Sequence, residues 1–146
     1  TGGFAMAPDG DLVTATSPSS GQFRVLRLAG EDGESRWDTT APVDFTPSGL
    51  ALAANGRVLV GGFASIPGSG GFITSHLAEF RADGQPCRTR EDFGMNTKLR
   101  IASGAGGWSM LGAGPFLAAG NDASVHRYDD DGPCDVDAIF LDGFDT

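Results

Sequence analysis

Basic residues are scarce in this sequence: ten Lys and Arg stand against nineteen Asp and Glu, giving the 146-residue chain a formal net charge of −9. A negatively charged surface repels nucleic-acid phosphates and anionic membranes. The sequence contains no basic cluster interleaved with aromatic residues that would offset this repulsion. No apolar run approaches the roughly 18–20 residues that a membrane-spanning helix needs. The sequence therefore predicts neither nucleic-acid binding nor membrane insertion.

Side chains that ligate metals or act as catalysts are also few. The cysteines and histidines are Cys87, Cys134, His76 and His126. They form no CxxC pair and no zinc spacing. The chain contains no GxSxG motif, and its glycine-rich segments lack the lysine and helix of a phosphate loop. We therefore predict no catalytic residue and no organic cofactor, and we interpret both histidines as ordinary strand residues.

One acidic cluster near residue 132 is a candidate metal site. Calcium prefers several carboxylate and carbonyl oxygens, and the candidate ligands are Asp129, Asp131 and Asp135. The cluster does not follow the EF-hand pattern, because Arg127 occupies the first ligand position. A solvated acidic turn is the alternative interpretation.

What the chain has in abundance is glycine, at 23 of 146 residues, without the Gly-X-Y period of collagen. Three segments, at residues 2–15, 48–62 and 106–120, repeat one pattern: an apolar run, a turn with glycine and a second apolar run. We interpret each as a β-hairpin that turns at Gly10, Gly56 or Gly114. Asp9-Gly10 and Asn55-Gly56 are the pairs that type I′ turns prefer.

A second half-pattern follows each hairpin, at residues 23–37, 76–90 and 125–137, and ends in an acidic turn with glycine and a short strand. Units of four short strands at this length indicate propeller blades. We predict an all-β fold, a partial β-propeller of about three four-stranded antiparallel blades, with a β-sandwich as the alternative. The only plausible helical turn lies within residues 91–100.

The predicted organisation places three propeller-type repeats in residues 1–137, at about 2–47, 48–105 and 106–137, followed by a C-terminal tail at 138–146. The residues expected to be buried between blades are Phe4, Met6, Leu50, Leu52, Trp108 and Met110. Three units do not close a ring of four to eight blades, so either the chain is the end of a longer propeller, or copies assemble, or the sheets form an open stack. Of these we expect a C-terminal fragment whose first sheet exposes an apolar face meant for a preceding blade, and which aggregates or self-associates when isolated.

The units resemble the quinoprotein-like propeller repeats of secreted bacterial proteins, in the segment Ala7-Pro8-Asp9-Gly10 and more loosely in Glu31-Asp32-Gly33 followed by Trp37. The ending from Asp137 to Thr146 is similar to the IFxDGF(E/D) tail of many secreted gammaproteobacterial proteins. The resemblance implies a secreted, extracellular or periplasmic bacterial protein. It implies no activity.

These observations predict a non-catalytic extracellular propeller module that binds a protein or small-molecule ligand, or serves a structural role, alongside the remaining blades of the same chain. The alternative is the C-terminal blades of an enzymatic propeller, a quinoprotein-like oxidoreductase or a hydrolase, whose active site lies mainly in other blades. Cys87 and Cys134 occupy near-equivalent places in consecutive units, so we expect them to be too far apart for a disulfide. Export to an oxidising compartment would instead favour a disulfide between them.

Overall fold

The computed structural model describes residues 3–17, 21–65, 68, 73–93, 98–104, 107–116, 120–128 and 134. These residues form eleven β-strands and no helix. The strands are β1 (Phe4–Met6), β2 (Leu12–Thr16), β3 (Arg24–Leu28), β4 (Ser35–Thr40), β5 (Thr46–Leu52), β6 (Val58–Ser65), β7 (Ile73–Phe80), β8 (Pro86–Phe93), β9 (Lys98–Gly104), β10 (Gly107–Phe116) and β11 (Gly120–Tyr128).

The strands form three antiparallel sheets. The first sheet is β1-β2-β3-β4, the second is β5-β6-β7-β8, and the third has three strands in the order β11-β10-β9. Every neighbouring pair in the first two sheets is also consecutive in sequence, as expected for strands joined by short turns. The predicted all-β class is confirmed, and so are four-stranded antiparallel sheets in the first two units.

The β1–β2 hairpin shows how the sequence makes its turns. The amide of Gly10 donates to the carbonyl of Ala7 at 2.9 Å, and the amide of Ala7 donates to the carbonyl of Asp11 at 2.8 Å. Gly10 has φ +90°, whereas no described residue other than glycine has a positive φ. The loop is therefore a three-residue turn with glycine alone in the left-handed region. The prediction of type I′ turns, which need two such residues, is wrong.

The same turn closes two further hairpins, between Ala53 and Arg57 and between Arg81 and Gln85. In each case the residue before the glycine accepts a hydrogen bond from the amide two positions on. These bonds run from Asp11 to Asp9 (3.2 Å), from Arg57 to Asn55 (3.0 Å) and from Gln85 to Asp83 (3.0 Å). Asp and Asn stabilise such turns by this local bond, which explains why the sequence repeats them there.

The second sheet lies between the other two. Val58 and Val60 of β6 share a core cluster with Val13 and Val25 of the first sheet. Gly61, the residue after Val60, points to the opposite face of β6 and meets Ile101 of β9. A Cβ on Gly61 would stand 2.6 Å from the Ile101 Cδ1. Because successive strand residues point to opposite faces, the second sheet packs on the first sheet through one face and on β9 through the other.

The first strands of the three sheets lie next to one another, since β5 contacts both β1 and β9.

The core between the first two sheets is completed by aromatic residues. The ring of Phe23 lies 4.6 Å from that of Phe45 and 6.4 Å from that of Phe80, centroid to centroid, and Phe23 and Phe80 are fully buried.

The third unit departs from the prediction. Strand β8 continues to Phe93 and β9 begins at Lys98, so the helical turn predicted within residues 91–100 could lie only at residues 94–97, outside the described part of the structure. The hairpin turn predicted at Gly114 is wrong, because β10 runs through Gly114, which pairs with Asp122 of β11. Gly114 follows Ala113, which has no side-chain oxygen to stabilise a turn, and pairing with β11 continues the strand through both residues. The division into three repeats and a tail at 138–146 stays a prediction.

The predicted core is correct only in part. Phe4 and Met6 are 73% and 65% exposed, so their predicted burial is wrong for this chain. They lie on the face of the first sheet that points away from the second sheet. Leu50 and Leu52 are partly buried against the core cluster, as expected. The predicted burial of Trp108 and Met110 concerns side chains outside the described part of the structure.

Cys87 and Cys134 form a disulfide, with their Cα atoms 4.4 Å apart. The prediction that they remain unbridged is wrong. It rested on similar spacings from a turn glycine, three residues for Cys87 and two for Cys134, which imply equivalent positions only if consecutive units have the same strands. Cys87 lies on β8, the fourth strand of its sheet, whereas Cys134 follows β11, the third strand of a sheet with three described strands.

Candidate functional site

An open pocket of about 330 Å³ lies where the first sheet meets the β7–β8 turn of the second. Its walls come from the β1–β2 turn, β3, β4 and the β7–β8 turn. The lining residues are Asp9, Asp11, Arg27, Arg36, Trp37 and Ala82. None of these charged residues was predicted from the sequence to belong to a functional site.

Asp11 is the buried centre of this pocket, only 7% exposed. Its Oδ2 accepts a hydrogen bond from Arg27 Nε at 2.9 Å, and its Oδ1 accepts one from the Gly30 amide at 3.3 Å. The bond from Arg27 is the main reason why the pKa of Asp11 lies below its ordinary value, against the opposing effect of burial; the Gly30 bond and the charge of Arg36 add to the lowering. Asp11 is therefore a carboxylate at neutral pH.

The two arginines of the pocket are engaged by acidic partners. Arg27 also pairs with Asp9 through Nη2, so it ties the β1–β2 turn to β3. Arg36 lies 3.7 Å from Asp11 and 3.6 Å from Glu31. Ion pairs that share charges in this way hold a local geometry in place, and the described residues of the lining include no Ser, Cys, His or Lys nucleophile.

Trp37 forms the wall that joins the two sheets. Its indole Nε1 donates to the carbonyl of Ala82 at 3.1 Å. The ring also lies against Gly84, where a Cβ would come within 2.7 Å of the indole Cδ2. The described side chains of the pocket therefore hold the two sheets together. Its carboxylates and guanidinium groups are paired with each other, and its indole contacts the second sheet.

His76 of β7 lies in a second polar cluster. Its Nε2 and the Thr74 hydroxyl oxygen are 2.7 Å apart, and its ring stacks on Phe45 at 5.5 Å with an interplanar angle of 16°. Burial lowers the pKa of His76, and the charge of Glu91, its cross-strand neighbour, acts in the opposite direction. Thr74 is only 2% exposed, so its hydroxyl is not accessible to a substrate in solution.

The interpretation of both histidines as strand residues is confirmed: His76 lies on β7 and His126 on β11. Thr74 and His76 share one face of β7, whereas the intervening Ser75 points to the opposite face. The Ser75 hydroxyl is buried and has no hydrogen-bond partner among the described residues. The cluster therefore holds a packed imidazole rather than a serine activated by a histidine.

A buried ion pair faces the third sheet, and sequence reasoning missed it. Glu79 is 1% exposed, and both of its carboxylate oxygens accept hydrogen bonds from the guanidinium of Arg88 on β8. Glu79 lies opposite Leu59 in the ladder, on the same face as Gly61. The sequence feature that could have revealed this pair is Glu79 itself, a lone acidic residue between the apolar residues Ala78 and Phe80 of one strand. A buried charge in such a position needs a partner.

The candidate calcium ligands Asp129, Asp131 and Asp135 lie outside the described residues, so a metal site there stays a prediction. Within the described part of the chain, no group of three or more His, Cys, Asp or Glu residues is placed to hold a metal ion.

No protein-family model matches this chain, and no curated protein matches it. Among the described residues no helix has the length and apolar character needed to cross a membrane.

Proposed function

We propose that this chain is a non-catalytic segment of an extracellular β-propeller, with a structural or ligand-binding role. The observation that carries the proposal is the contact between first strands: β1 meets β5, and β5 meets β9. In a propeller the sheets stand around a central channel, so one particular strand of every sheet lies next to its counterparts.

The packing of the second sheet supports the same arrangement. It contacts the first sheet through the face of Val58 and the third sheet through the face of Gly61. Each sheet thus covers one face of the next, in sequence order, as in a ring of blades. Such units depend on stacking with their neighbours because one sheet buries too little apolar surface alone.

The disulfide between Cys87 and Cys134 supports an extracellular or periplasmic location. Disulfides persist in oxidising compartments and are rare in the reducing cytosol. This agrees with the resemblance of the C-terminal tail to the endings of exported proteins.

Distances between spin labels test the propeller against a flat stack of sheets. One double variant carries Phe4→Cys on β1 and Ala102→Cys on β9, at two exposed positions of first strands. The second carries Ser35→Cys on β4 and Asn121→Cys on β11, the strands farthest from this contact. The native cysteines are bonded to each other, so a thiol-specific label reacts with the introduced positions.

In a propeller the sheets diverge outward, so pulsed electron spin resonance should give an outer distance at least about 10 Å longer than the inner one, given strand spacings of about 4.8 Å. The β-sandwich alternative places its layers at a nearly constant separation of about 10 Å. Equal inner and outer distances would therefore contradict the proposal.

A further inference from the structure

The first sheet has a free apolar face, which we call the outer face. It consists of Phe4, Met6, Leu12, Leu26 and Leu28. The strand register places them together, because Met6 pairs with Leu12 and Leu12 pairs with Leu28. Phe4 is 73% exposed and Met6 65%, and the three leucines are partly exposed.

Each residue of the outer face has a counterpart in the second sheet. The turn glycines Gly10 and Gly56 are 46 residues apart, and the same offset relates Phe4 to Leu50 and Leu12 to Val58. The ladders extend the match to the third strands, since Leu12 pairs with Leu28 as Val58 pairs with Phe80. The counterparts of the five residues are Leu50, Leu52, Val58, Ala78 and Phe80.

In the second sheet this equivalent face is covered. Val58, Ala78 and Phe80 are 1%, 0% and 0% exposed, and Leu50 and Leu52 pack against the same cluster. The residues that cover them come from the opposite face of the first sheet. They are Val13, Ala15 and Val25, together with Phe23 beside β3.

We propose that the outer face of the first sheet is a docking surface for one further sheet of the same repeat, carried on the same polypeptide ahead of Phe4. That sheet would present small aliphatic side chains equivalent to Val13, Ala15 and Val25. An apolar face of this kind marks an interaction site, and its chemistry matches the interface between the first and second sheets of this chain. This inference rests on the repeat arrangement in the proposed function.

The exposed ion pair between Arg24 and Asp38 fits this use of the face. Asp38 pairs with Leu26 across the ladder, so both lie on the same side of the sheet. Interfaces commonly surround an apolar centre with a polar rim. Arg24 occupies the place that His76 occupies in the second sheet, at the margin of the covered apolar residues.

The test adds the proposed neighbouring sheet. A second copy of residues 1–46 is placed directly before Thr1 of the full chain, which preserves the 46-residue offset. Met6→Cys is then introduced either in the original copy or in the added copy, and thiol reactivity is measured with a chromogenic disulfide reagent. The two thiols have the same local sequence and differ only in whether a sheet precedes theirs.

We expect the thiol of the original copy to react about tenfold or more slowly than the thiol of the added copy, because only the former is covered and must open to react. The Met6→Cys thiol of the 146-residue chain should react as fast as that of the added copy. Asn55→Cys, in an exposed turn, should react at one rate in both proteins and so controls for general unfolding.

Equal rates for the two copies would overturn the proposal. So would slow, concentration-dependent reaction of the 146-residue variant together with a dimeric mass in solution, because the occupant would then be a second copy of the chain. The spin-label distances report ring geometry independently. If the original-copy thiol is protected but the inner and outer spin-label distances are equal, the docking surface is supported and the propeller arrangement is contradicted.

Discussion

The indole ring of Trp37 lies directly against Gly84, so closely that a Cβ on Gly84 would stand 2.7 Å from the indole Cδ2. Gly84 also has φ +86°, a conformation that L side chains rarely adopt. The contact joins β4 of the first sheet to the β7–β8 turn of the second, and the bond from Trp37 Nε1 to Ala82 reinforces it. A single glycine thus satisfies both a turn and an interface between sheets.

Gly84→Ala should destabilise the protein more than Gly10→Ala. The two glycines have nearly the same φ, but a Cβ on Gly10 would meet nothing within 4 Å. Both variants carry about 1–2 kcal/mol of left-handed backbone strain, and Gly84→Ala adds about 1–3 kcal/mol of overpacking against the indole. Urea unfolding measures both. In a Trp37→Ala background the extra cost of Gly84→Ala should disappear; equal costs of the two glycine variants in the native background would show that the indole contact carries no energy.

Glu79→Gln should lower the free energy of unfolding by about 3–5 kcal/mol, because it removes one charge of a buried ion pair. The Arg88 side chain is 13% exposed and Glu79 is fully buried, so solvent does not screen the loss. Asp38→Asn is the matched control. Its pair with Arg24 is 30% and 50% exposed, and exposed pairs contribute about 1 kcal/mol or less. Similar effects of the two variants in urea unfolding would contradict this account.

Cys134→Ser should lower the free energy of unfolding by about 2–4 kcal/mol. The disulfide spans 47 residues, and closing a loop of that length restricts the unfolded chain by about 4 kcal/mol in the chain-entropy account. Thermal unfolding with and without a reductant measures the effect. The native protein should lose stability on reduction, whereas the variant should be insensitive to the reductant. A native protein that titrates with two free thiols when isolated from an oxidising compartment would contradict the bridge.

The stability of the protein should fall as the pH falls below about 6.5, the ordinary pKa of histidine. Burial lowers the pKa of His76 in the folded state, so the unfolded chain takes up this proton first. The contribution of His76 is therefore complete above about pH 6.5 and is lost progressively down to the pKa of the folded state. Urea midpoints between pH 5 and 7.5 should show a smaller slope in His76→Gln than in the native protein.

Glu91→Gln is the control of opposite sign. The charge of Glu91 favours the protonated form of His76, so its removal should lower the pKa of His76 further and steepen the loss of stability at acid pH. An unchanged slope in both variants would assign the pH dependence to other groups.

Local structure was largely readable from the sequence. An Asp or Asn followed by Gly marks the described turns at Gly10, Gly56 and Gly84, because the side-chain oxygen and the glycine conformation act within a few residues. Where that local signal was absent, at Ala113-Gly114, the predicted turn does not exist. The polar cluster around Asp11 was not predictable, since its partners Arg27 and Arg36 are 16 and 25 residues away and meet it only through strand pairing.

The sequence by itself determined the all-β class, the hairpins of the first two sheets and the 46-residue offset between them, because turn chemistry and strand alternation are short-range properties. Only the tertiary structure decided which faces are covered. Phe4 and Leu50 occupy equivalent positions, yet one is exposed and the other packs against the core, because burial depends on which sheet lies alongside. The same holds for Cys87 and Cys134, which pair because sheet stacking brings distant strands together.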